Sequence, residues 1–149
     1  MSQRLALSAL AAVALLGGAG TYAFAGEAPR TGPKVTDGTA VYVAPSAGKA
    51  GSLTFTARVS DDSGVRGLKV IAWPASMSPA PTAKEMADVD SAVCKAAGDG
   101  VARCAYTLKV TRAEAAELPK GTWRVTALAT ANDGGTAFVP KAAEFTVNG

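Results

Sequence analysis

The chain has 149 residues, with 15 Lys and Arg, 12 Asp and Glu, and no histidine. Its cations are scattered singly at a formal charge of +3, which lacks the dense basic run that nucleic acid requires. The missing histidines remove the commonest general base and the commonest metal ligand.

Residues 1–25, MSQRLALSALAAVALLGGAGTYAFA, carry one early positive charge at Arg4, then small and apolar residues, then Ala23-Phe24-Ala25. This is the pattern of a secretory signal peptide, with cleavage expected between Ala25 and Gly26. The apolar run is short and rich in Ala and Gly for a membrane span. No second long apolar segment follows, so no membrane association is expected after cleavage. Residues 26–37, GEAPRTGPKVTD, mix proline and charge and are expected to be a flexible tail. That leaves 38–149 as one folded domain, long enough to bury its own core.

From Thr39 onward, short β-type runs alternate with turn residues. TAVYV (39–43) is the first. SLTFTARVS (52–60) alternates strictly, with Leu53, Phe55, Ala57 and Val59 on one face; that period marks a strand with one buried side. DDSG (61–64) is a turn. VRGLKVIAW (65–73) follows, with Leu68, Val70 and Ala72 facing the core. A long connection with Pro74, Pro79 and Pro81 comes next. In it, Thr82 and Glu85 have capping-box spacing, which predicts a helical turn.

SAVCK (91–95) and ARCAYTLKV (102–110) are the next pair of strands. The only two cysteines, Cys94 and Cys104, flank Gly98-Asp99-Gly100, a strong turn signal. Nine residues separate them, too many for a CxxC redox motif, and a zinc site has too few ligands here. In an oxidising compartment they are expected to form a disulfide across a hairpin; a free or regulatory pair is the alternative. Thr111 and Glu114 again have capping-box spacing, and Pro119 ends the two-turn helix predicted over 111–118. GTWRVTALATANDGG (121–135) and TAFVPKAAEFTV (136–147) complete seven strands, with Trp123, Val125, Phe145 and Val147 inward.

The spacing of turns and crossings predicts an all-β, immunoglobulin-like two-sheet antiparallel sandwich with one short helix in a crossover. The first, second, fifth and fourth strands form one sheet, and the third, sixth and seventh the other. DDSGVRGLKVIA and GTWRVTALATANDGG resemble the matching turn and strands of bacterial immunoglobulin-like modules. From its signal peptide to AEFTV the chain is similar to small secreted actinobacterial proteins of unknown function built as a single such domain. The resemblance implies a fold and an export route, and no catalytic residues.

Three candidate sites follow. The loops carrying Asp61, Asp62, Asp99, Asn132 and Asp133 share one pole, with Asp37 close by, and could offer calcium its hard oxygen ligands. Asp and Asn are also what tight turns use, and no metal cofactor is assigned. Ile71, Trp73 and Leu128 share the outer face of the second sheet and could form a partner patch, unless the 74–88 connection or the helix covers them. The loop PASMSPAPTAKEM (74–86) could present itself to a protease. For catalysis, Ser63, Ser76, Ser78 and Ser91 lie in no recognisable motif. Glu114 and Glu117 share a helix face that is expected to be solvated. The chain is therefore expected to be a secreted non-enzyme with a binding or structural role toward an extracellular protein or a cell-envelope component. The alternatives are a loop-based protease inhibitor and a calcium-stabilised adhesion module.

Overall fold

A computed structural model describes residues 32–148; the expected signal peptide and most of the expected tail lie outside them. The described residues form seven strands: β1 (Lys34–Val43), β2 (Gly51–Ser60), β3 (Val65–Pro74), β4 (Val93–Gly98), β5 (Val101–Val110), β6 (Gly121–Ala131) and β7 (Thr136–Val147). All ladders are antiparallel. One sheet has the order β1-β2-β5-β4 and the other β3-β6-β7, the strand order of a seven-stranded immunoglobulin-like sandwich.

The alternation of β2 decides which side is inside. Leu53, Phe55, Ala57 and Val59 are buried, at 0–5% exposure. Facing them from the other sheet are Leu68, Val70, Val125, Ala127 and Ala129, also buried in the same core. The inward residues near the end of β2 are mostly small: Ala57, Ala102, Ala127 and Ala129.

One boundary differs from expectation. The tail predicted to run to Asp37 gives way to strand at Lys34, where Lys34–Thr36 pair with Ser60–Arg58. Asp37 and Gly38, at the expected boundary between tail and domain, form a bulge inside β1, with Asp37 at φ 57° and a register shift between Thr36 and Thr39. Gly38 is needed there by close approach, since a Cβ would stand 2.2 Å from the carbonyl oxygen of Ala142 in β7. Gly32 abuts Thr136 and Tyr42 stacks on Phe145 at 6.0 Å. β1 therefore runs beside β7 in the same direction and closes that side of the sandwich.

Both capping boxes form. Thr82 and Glu85 exchange bonds at the start of a 3₁₀ turn, Glu85–Asp88. Thr111 and Glu114 do so at the start of helix α1 (Arg112–Glu117). Between β3 and β4 the chain doubles back along the free edge of β3, where Val70 N–H donates to Asp90 and Ala92 N–H to Leu68.

Cys94 and Cys104 are directly opposed on β4 and β5 and are bonded. The bridge ties an edge strand to an interior one, with a sequence separation of 10. Replacing both cysteines with alanine should lower unfolding free energy by about 2–3 kcal/mol, read from urea denaturation beside the oxidised wild type. An unchanged midpoint would show that the ladder alone holds β4.

Candidate functional site

The sandwich is not filled evenly. Near the pole that carries α1, the two sheets leave a cleft of about 370 Å³. Tyr42, Leu53, Tyr106, Leu108 and Val110 line it from one sheet, and Val70, Ala72, Trp123 and Phe145 from the other. The period-two pattern aims all of these side chains inward. Phe145 is the middle of an aromatic row, 6.0 Å from Tyr42 and 5.9 Å from Trp123. The Trp123 indole N–H donates to the Pro119 carbonyl at 2.9 Å, which fixes the ring beneath the helix end. Leu108 remains 44% exposed at the opening, an inward residue that water still reaches.

Polar groups stand at the rim. The Tyr106 hydroxyl donates to Asp90 Oδ2 at 3.0 Å. Partial burial, followed by that hydrogen bond and the adjacent negative charge, pushes the Tyr106 phenol up to about 12. Glu114, fully exposed, has its carboxyl held below the usual range, chiefly by the Thr111 backbone N–H it accepts. Lys109 completes the rim. Such an arrangement offers apolar walls, aromatic faces and a charged lip, which is the chemistry of a small-ligand pocket.

Sequence reasoning points Trp123 and Phe145 inward but treats them as ordinary core, and singles out neither Tyr106 nor Leu108. The signal available was their alignment at one end of the domain, opposite an alanine at Ala72 that cannot fill the space.

The acidic loops do share a pole. Asp61 N–H donates to the Gly100 carbonyl, and Asn132 N–H to that of Gly64. Asp61 Oδ1 accepts from the backbone N–H and the hydroxyl of Ser63, and Asp133 Oδ1 from Gly135 N–H. Asn132 Nδ2 donates to the Ser63 carbonyl and the Asp133 N–H to the Ser63 hydroxyl. The carboxylates fold their own loops, while the Asn132 amide, the Ser63 hydroxyl and backbone N–H groups tie the loops together. Asp62 and Asp99 are exposed. Asp37 is on the β1 bulge, lining a groove with Arg58 and Arg103. Among the described residues, no three acidic or cysteine side chains group as a metal site.

The possible patch of Ile71, Trp73 and Leu128 does not form as an exposed surface. Trp73 is only 6% exposed, and Ile71 and Leu128 are half-buried. The Trp73 N–H donates to Thr126 Oγ1, and that hydroxyl donates to the Pro140 carbonyl, both at 2.8 Å. Arg124 lies 6.0 Å over the Trp73 ring and pairs with Glu144 at 3.2 Å. Outward polarity on β6 is thus met by a buried relay: Thr126 is 1% exposed. The loop leaving Trp73 turns at once, with Met77 N–H bonded to the Pro74 carbonyl. Met86 of the 3₁₀ turn is fully buried, so this connection serves packing as well as presenting Met77, which is 55% exposed.

The described residues are an immunoglobulin-like β-sandwich with an aromatic cleft open at one pole, and among them no helix is long and apolar enough to cross a membrane. The chain belongs to a family of unknown function (DUF5707), whose model matches residues 35–129, from β1 into β6. No curated protein and no solved structure matches it.

Two outcomes follow from these networks. Thr126→Val would leave the buried Trp73 N–H and the Pro140 carbonyl without a partner, and should cost about 1–3 kcal/mol in urea unfolding. Tyr106 titrates higher folded than unfolded, so its contribution is complete below pH about 10 and is lost as pH rises toward about 12. Stability measured across that interval should fall more steeply for wild type than for Tyr106→Phe; equal slopes would mean that the phenol is perturbed neither by burial nor by Asp90.

Proposed function

We propose that the protein is a secreted, non-enzymatic binding domain that acts outside the cell, with the inter-sheet cleft as its ligand site. The ligand class that fits is a small, largely apolar or aromatic body, or such a group on a cell-envelope component. Its polar end would face Asp90, Lys109 and Glu114.

The observation that carries this is the row Tyr42–Phe145–Trp123 lining a cleft that water reaches. Aromatic surface left open between two sheets is costly unless something covers it. Export is supported by the signal-type sequence of residues 1–25 and by the disulfide. A binding rather than catalytic role is supported by the lack of histidine and by the rim carboxylates. Asp90 is engaged by Tyr106, and Glu114 by the helix cap.

Anilinonaphthalenesulfonate should bind the native protein and change Trp123 fluorescence. Leu108→Trp, made at an exposed lip position, should block the mouth and weaken that binding by about tenfold or more, with the melting temperature unchanged. Native wild type that does not take up the probe, or a Leu108→Trp variant that binds it equally well, would remove the cleft from consideration.

A further inference from the structure

The cations that look scattered along the sequence are gathered by the fold. Arg58 on β2 stands directly across from Arg103 on β5, and Arg103 directly across from Lys95 on β4. With neighbouring strands about 4.8 Å apart, three positive charges lie in one row spanning about 10 Å. Lys34 extends the same outer face toward one end, by the register Lys34↔Ser60. The four strands of this sheet contain a single acidic residue, Asp37. Among the described residues, Asp37 makes no ion pair with the row; Glu144 pairs instead with Arg124 and Lys141.

Like charges directly opposed on adjacent strands are destabilising. Lysine on an edge strand guards against strand pairing, and Lys95 on β4 could serve that end. Arg58 and Arg103 could not, because β2 and β5 are interior strands. The row also lies along a groove of about 490 Å³ bounded by the Asp37 bulge and by Val93, Lys95 and Ala97 of β4.

We infer that this groove, with Arg58, Arg103 and Lys95, binds a linear phosphate-bearing polymer laid across the strands. Guanidinium forks match phosphate oxygens in bidentate fashion, and lysine adds a point charge. The row is longer than one phosphate can span, so a chain of them satisfies it better than a single ion. Charge repulsion within the row is relieved when the polymer is bound. This surface is on the outer face of the first sheet and is independent of the inter-sheet cleft.

The probe is inorganic polyphosphate, titrated against the full chain by calorimetry at several salt concentrations. Wild type should bind with log K falling against log salt at a slope of roughly −2, for three contacts. Arg58→Thr with Arg103→Thr should weaken binding by about tenfold or more and reduce the slope to roughly −0.7. Thermal stability should be kept or raised, because an opposed like-charge pair is gone. Lys84→Gln with Lys120→Gln removes equal charge from other surfaces and should leave affinity unchanged. The proposal is overturned if wild type does not bind polyphosphate, or if the Arg pair and the Lys84/Lys120 control lose affinity equally. It is also overturned if a polyuronate of equal charge density, or anionic phospholipid vesicles, bind and polyphosphate does not.

Discussion

The pleat of β2 governs this molecule. Its odd-numbered side chains from Leu53 to Val59 go into the gap between the sheets, and its even-numbered ones go to the outside. β2 is laddered to β5 over its full length and to β1 from Ser52 to Ser60 around the bulge, so its parity is imposed on both. A slip of one residue would send Phe55 to water and Arg58 into the core. The cleft and the cationic row both inherit their positions from this single choice, one on each face.

Within the gap the sizes of the inward residues change from one pole to the other. Alanines dominate where the loops of the acidic pole meet, and aromatic rings dominate near α1. Rings are wide and few, and they stack on each other through Phe145 rather than filling the space across from Leu108. The cleft is therefore a result of composition, with no inserted loop needed to build it. The acidic pole shows the opposite economy: Asp61, Ser63, Asn132 and Asp133 satisfy one another and the backbone, so two loops are fastened by short local bonds, and the Asp61 N–H joins the Gly100 turn to them.

Much of the architecture was legible because it depends on period and punctuation. Strand order, both capping boxes and the Cys94–Cys104 pairing follow from alternation, turn residues and spacing. Misplaced features depend on contacts between distant residues. Residues 26–37 have the composition of a tail; only pairing with β2 and the close approach of Gly38 to the Ala142 carbonyl carry Lys34–Asp37 into β1. Trp73 has the parity of a surface residue; only Thr126, one strand away, supplies the hydroxyl that lets its indole be buried. The cationic row was hidden for the same reason, since Arg58, Lys95 and Arg103 are far apart until β2, β5 and β4 are laid side by side.

The side-by-side run of β1 and β7 has a mechanical consequence. β1 begins beside Ser60 at the loop pole, and β7 ends beside Gly121 at the pole of α1. A pull applied through those two ends would act along the strands, loading the β1–β2 and β6–β7 ladders in shear, with many hydrogen bonds resisting together rather than opening one by one. A domain strung this way could sit in line between two attachment points and bear tension without unzipping.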